Sequence, residues 1–199
     1  MRTIVTVLIS AIVFFALNSI IPTKEECEIY NSTIRLHVVA NSDSEKDQAV
    51  KLEVRDAILE KMSEIKAQSK EEALLTVKGE KDELEEIAEQ VLKSNGITDE
   101  VKIEIGEESY PTRYYDDFAL PAGTYTSVRV LIGEGDGQNW WCVLYPPLCT
   151  SQAIESEEDS IAVGLTKDQY SLITGKTKEY KIKFKILEMA KEAFGLLND

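Results

Sequence analysis

The chain opens on an apolar stretch with no polar face. No residue from position 3 to position 23 is charged, and Ile4-Val5-Thr6-Val7-Leu8-Ile9-Ser10-Ala11-Ile12-Val13-Phe14-Phe15-Ala16-Leu17 follows a single basic residue, Arg2. Basic and then apolar is the order of an export segment. The uncharged run of 21 residues also matches the ~20 that a membrane-spanning helix needs. Ala16-Leu17-Asn18-Ser19 fits poorly the small-residue pattern of a cleavage site, which favours an anchor that stays attached. Cys27 follows Lys24-Glu25-Glu26, not the small and apolar residues of a lipoprotein processing site. Residues 24–31 are polar and read as a linker.

Beyond the linker the pattern becomes periodic. Ile34-Arg35-Leu36-His37-Val38-Val39-Ala40 alternates and then turns apolar, predicting a strand buried mainly on one face, with His37 on the less buried one. Ser42 and Glu45 have the spacing of a capping box. Val50, Val54, Ala57, Ile58, Met62 and Ile65 then recur at helical steps, with Lys51, Glu53 and Arg55 on the other side. Ser69 and Glu72 open a second helix carrying Leu74, Val77, Leu84, Ile87, Val91 and Leu92. Gly79 marks a kink or break in it, and Asn95-Gly96 a stop.

After Gly96 the period changes to two. Val101, Ile103 and Ile105 define one strand, 125–132 a second and 140–145 a third. Gly133-Glu134-Gly135-Asp136-Gly137-Gln138-Asn139 is expected to join the last two as a hairpin, and Pro146-Pro147 end the third. Residues 151–160 read as a polar, acidic loop. Residues 178–194 begin with strand alternation (Tyr180, Ile182, Phe184) and end in a helical pattern. The expected architecture is α+β: a largely antiparallel sheet with two long helices on one face, preceded by the N-terminal apolar export or anchor helix. The expected segments are 1–23 as signal peptide or anchor, 24–31 as linker and 32–199 as one domain.

Charge narrows the function. The 199 residues include 36 Asp and Glu against 22 Lys and Arg, a net charge of −14. Such a surface repels phosphate backbones, and no basic cluster offsets it, so nucleic-acid binding is not expected. No metal or cofactor is implied, since His37 is the only histidine and no four-ligand Cys/His set exists.

The remaining motifs carry little chemistry by themselves. Gly133-x-Gly135-x-Gly137 has the wrong spacing for a phosphate loop and precedes a strand, not a helix. His37 lacks a nearby nucleophile in sequence. Asp43, Asp47, Asp116, Asp117, Glu134 and Asp136 could supply a glycosidase-like carboxylate pair, but solvation and helix capping account for carboxylates in so acidic a chain. Cys142 and Cys149 bracket Val-Leu-Tyr-Pro-Pro-Leu, and export would let a disulfide between them persist; two buried thiols are the alternative. Trp140 and Trp141 must point to opposite faces of their strand, so at most one enters a one-sided core. Arg113, Tyr114, Asn139, Trp140 and Trp141 are therefore the candidate partner-binding residues, the mix of aromatic and arginine side chains typical of protein contacts. Core packing of the aromatics is the competing use.

Ile34 to Ser44, then Asp47-Gln48, Val54-Arg55-Asp56-Ala57, Tyr110-Pro111-Thr112-Arg113, Leu120-Pro121-Ala122-Gly123-Thr124-Tyr125 and above all Gly133 through Cys149 resemble the stage II sporulation protein R family in order and spacing. His37, where a basic residue is expected, and Tyr114-Tyr115-Asp116-Asp117, in place of a shorter turn, depart from it. The resemblance implies a non-enzymatic signalling protein. It would be exported from the forespore into the intermembrane space, where it would activate a membrane-embedded aspartic protease of the mother cell. That protease would process the precursor of the early mother-cell sigma factor. A cell-wall hydrolase and a peptidoglycan-binding module are the alternatives.

Overall fold

The structure, a computed structural model, describes residues 22–64, 67–115, 118–148 and 164–175, together with Thr6, Ser10, Glu158 and Ile161. The expected anchor, the 151–160 loop and the 178–194 segment fall outside these residues, apart from those isolated positions. Among the described residues no helix is long and apolar enough to cross a membrane.

Four strands form the main sheet: β1 (Ile34–Val39), β2 (Val101–Tyr110), β5 (Gly123–Ile132) and β6 (Asn139–Tyr145), in the order β2-β5-β1-β6. A short pair, β3 (Arg113–Tyr114) and β4 (Ala119–Leu120), stands apart. β2 runs antiparallel to β5, and β6 antiparallel to β1, but β1 lies parallel to β5. The sheet is thus mixed, not simply the largely antiparallel one expected. The cause is the position of β1, inserted between β5 and β6 and buried along its whole length, as a central strand covered on both faces must be.

That insertion also removes the expected hairpin. β5 and β6 are not neighbours, so the loop between them must cross over the end of β1. There it meets the backbone leaving that strand. Gly137 N–H donates to Ala40 O (2.9 Å), Glu134 N–H to Asn41 Oδ1 (3.0 Å) and Gln138 N–H to Asp43 Oδ1 (2.9 Å). Gly133 and Gly135 take φ of 57° and 68°, conformations that favour glycine. Lys51, expected on the solvent face of its helix, is buried because its Nζ reaches this crossing and donates to Gln138 O (2.9 Å).

One face of the sheet is covered by α2 (Glu45–Ser63), α3 (Lys70–Gly79) and α4 (Lys81–Ser94). Ile34, Leu36 and Val38 of β1 and Val128 and Val130 of β5 meet Val50, Val54 and Ile58 of α2 and Leu84, Ala88 and Leu92 of α4. The second long helix is therefore two, divided after Gly79. Ser44, not Ser42, caps α2 by accepting from Asp47 N–H; Ser42 binds the Asp47 carboxylate instead. α4 ends as its Asn95-Gly96 predicts, with Gly96 at φ 67° and Ile97 N–H returning to Leu92 O.

The opposite face is covered as well. Residues 24–31, read as a linker, belong to a helix, α1 (Lys24–Ser32), opened by a reciprocal Thr23/Glu26 capping box. A further helix, α5 (Lys167–Ile173), is opened the same way by Thr166 and Gln169. α1 packs on β5 and on α5, and Gln169 Nε2 donates to Ser32 Oγ (3.1 Å). Ile29, Tyr110, Tyr125, Val143, Leu165, Tyr170 and Ile173 make this second core.

Candidate partner-binding site

Alternation along β1 sends Ile34, Leu36 and Val38 toward α2–α4 and leaves Arg35 and His37 on the other face. The neighbouring strands add Glu108 and Tyr110 of β2, Ser127 of β5 and Trp141 of β6 by the same parity. A polar, aromatic network thus occupies the face that α1 and α5 cover only in part.

Arg35 is fully buried. Its Nε donates to Cys142 O (3.0 Å) and its Nη2 to Tyr115 Oη (3.0 Å), and its guanidinium lies 4.3 Å from the Tyr110 ring centroid. Nη1 has no hydrogen-bond partner. Tyr115 passes the chain on, donating to Trp141 O (3.2 Å). Burial raises the Tyr115 hydroxyl pKa, opposed by Arg35.

His37 is buried, contrary to the expectation of a less covered position, because β1 is central and both its faces are packed. Its Nδ1 lies 2.9 Å from Glu108 Oε1 and its Nε2 2.7 Å from Asn139 Oδ1. Ser127 Oγ donates to Glu108 Oε2 (2.7 Å), and the Tyr110 hydroxyl lies 2.6 Å from Ser127 Oγ. Burial works against the Glu108 carboxylate, but the Ser127 hydroxyl and the charge at His37 outweigh it and hold its pKa below the ordinary carboxylate range.

Trp141 is held between His37 and Arg113. His37, its cross-strand partner, stacks on it with centroids 5.4 Å apart and planes at 30°. The Arg113 guanidinium lies 3.4 Å from the ring centroid. Arg113 is half-buried, and its Nε is shielded from water with no acceptor.

The five candidate residues therefore do not share one face. Arg113, Trp141 and the side chain of Asn139 gather around His37. Tyr114 stands nearby on β3, 57% exposed. Trp140 lies on the α2 side, 37% exposed, with the Arg55 guanidinium 4.5 Å over its ring. Arg35, His37, Glu108, Tyr110, Tyr115 and Ser127 were not among the candidates. Arginine and histidine at alternate positions of an otherwise apolar strand were the available signal.

Two of the candidate carboxylates have other work. Asp47 accepts from Ser42 and Asn41, and Asp43 accepts from the Gln138 N–H. Asp116 and Asp117 lie outside the described residues. Cys142 is disulfide-bonded, Cys27 is free, and Cys149 lies outside the described residues. Among the described residues no group of three or more His, Cys, Asp or Glu is placed to hold a metal ion.

These features define an α+β domain with three helices on one face of a mixed sheet and, on the other, a buried arginine–histidine–tyrosine network beside two shorter helices. Residues 30–155 match the stage II sporulation protein R family, and the chain belongs to that family. It is 36% identical over 141 residues to the stage II sporulation protein R of Bacillus subtilis (strain 168). That match covers 67% of this chain and 63% of the relative, so it spans less than two thirds of the relative's length. No solved structure matches the chain.

Proposed function

We propose that this chain is an exported signal that activates a membrane-embedded aspartic protease, which then processes the precursor of the early mother-cell sigma factor. The chain acts as a ligand and contributes no catalytic group. Its N-terminal apolar segment directs export from the forespore and holds or releases it at the membrane. The observation that carries this reading is the Trp141 ring fixed between His37 and Arg113 on a rigid sheet, in a chain of a sporulation protein family. Anchored aromatic and arginine side chains are what dominate protein contacts. Tyr114 and Asn139 flank this centre, and Trp140 adds a separate contact on the other face. Activation follows if the chain binds the active state of the protease more tightly than the inactive one, because a ligand shifts an equilibrium only by differential affinity.

Co-expression in a non-sporulating host tests this. The full chain is exported together with the protease and its pro-sigma substrate, and cleavage is followed on a blot. Cleavage that requires this chain, and that survives substitution of Asp43, Asp47, Glu134 and Asp136, is expected. No cleavage despite confirmed export and folding sinks the proposal. Release of muropeptides by the purified chain would replace it with the hydrolase reading.

A further inference from the structure

We infer that Arg113, backed by Arg35, receives a carboxylate from an Asp or Glu side chain of the receptor protein. The inference rests on the activator reading above and specifies its chemistry.

The argument begins with charge. With 36 carboxylates for 22 Lys and Arg, acidic partners are in excess, and several cations of the described residues have one. Arg55 has Asp56, Arg129 has Glu104, Lys61 has Glu80 and Glu83, and His37 has Glu108. Arg35 and Arg113 pair with no carboxylate among the described residues. They are also neighbours, linked through Tyr115. Burial above all disfavours the charged form of Arg113; Tyr115 opposes it, and the like charge of Arg35 adds the smallest share. Two guanidiniums thus share one region with no counter-ion among the described residues, and each keeps a buried nitrogen without an acceptor, Nη1 of Arg35 and Nε of Arg113. Orphaned charged donors of this kind call for a reason.

The geometry supplies one. The Arg113 guanidinium carbon sits 3.4 Å from the Trp141 ring centroid; with Nε enclosed, the two terminal nitrogens of the half-buried side chain are the donors left for a partner. A planar guanidinium held by stacking is preorganised for a two-pronged contact with a carboxylate. Tyr115 accepts from Arg35 and donates to Trp141 O, and it carries no charge to balance either guanidinium. A single acidic side chain fits this local excess of positive charge, whereas the anionic surface of a membrane is repelled by the net charge of −14.

The test uses the full chain in the co-expression assay, with Arg113→Gln and Arg113→Lys, and thermal melting of the same proteins. Gln should lower processing about tenfold or more, as loss of a charge-assisted contact does. Lys keeps the charge but not the fork and should fall between. Both should melt close to the wild type. An Asp→Asn and Glu→Gln scan of the receptor's exposed surface should find one position that reproduces the loss and adds nothing to Arg113→Gln. Should Arg113→Gln melt early, Arg113→Lys carries the test, and full processing by it overturns the inference. Unimpaired processing by a folded Arg113→Gln overturns the inference while the activator reading stands. So does a receptor scan that finds no such position, or a loss confined to retention on purified peptidoglycan. Failure of the wild-type chain to drive processing removes the activator reading and this inference with it.

Discussion

A Cβ placed on Gly137 would lie 2.4 Å from the carbonyl oxygen of Ser42. Backbone cannot yield at that distance as a side-chain tip can. The close approach follows from β1 lying between β5 and β6, which forces the connecting loop across the chain leaving β1. Gly137→Ala should therefore lower stability by about 1–3 kcal/mol, the range for an overpacked site, in urea unfolding. Gly79, with nothing within 4 Å of its would-be Cβ, is the control. Gly79→Ala should raise stability by about 0.4–1 kcal/mol by restricting the unfolded chain.

Arg35 offers a second prediction. It is fully buried and has no ion-pair partner among the described residues, so its removal has two separable effects. Arg35→Ala leaves a cavity and strips Cys142 O and Tyr115 Oη of a donor, which should cost about 3 kcal/mol or more. Arg35→Met fills much of the volume and abolishes an unpaired buried charge. Replacing buried charge by packed apolar groups is often close to neutral, so Met should lose clearly less than Ala. Equal losses would mean that the guanidinium's own hydrogen bonds dominate at this site.

Acid should destabilise the sheet through its carboxylates. Glu104 has its pKa held down to about 2 from 4.5, first by Lys102 and then by Arg129, and Glu108 is lowered as described. A carboxylate whose folded pKa lies below its unfolded value contributes stability above the unfolded pKa and loses it as pH falls through the folded one. Thermal melting should therefore hold steady down to pH 4.5 and decline from there toward about pH 2. Glu104→Gln and Glu108→Gln should each begin less stable at neutral pH and show a shallower decline. A pH profile unchanged in both variants would place the acid sensitivity elsewhere.

What could be read from sequence, and what could not, follows the same physics. Strand and helix periods reflect burial on one side, so α2, β2, β5 and β6 stood out. Which strands neighbour one another leaves no such period. The parallel β1–β5 pairing was therefore invisible, and with it the crossing loop, whose glycines looked like those of a hairpin. α1 was missed because Lys24–Ser32 is polar and buries mainly Ile29 and Glu26, although the Thr23/Glu26 spacing was present. His37 was placed on the less buried side because one strand shows nothing of what covers its second face. Trp140 and Trp141 could be sent to opposite faces by alternation alone; that Arg55 lies over one and Arg113 over the other depends on long-range packing.

That division between the two tryptophans separates folding from contact. Trp141 is half-buried and supports both His37 and Arg113, so Trp141→Ala should cost about 2–3 kcal/mol in stability and lower processing partly for that reason. Trp140 is 37% exposed, with the Arg55 cation over its ring, a contact worth about 0.5–1 kcal/mol at an exposed site. Trp140→Ala should leave stability within about 1 kcal/mol of wild type. If Trp140 is a receptor contact, the same substitution should lower processing about tenfold or more, the effect of truncating an interface tryptophan. Processing measured beside urea unfolding decides the point. A stable Trp140→Ala chain with full processing would confine the receptor contact to the face that carries Trp141 and Arg113.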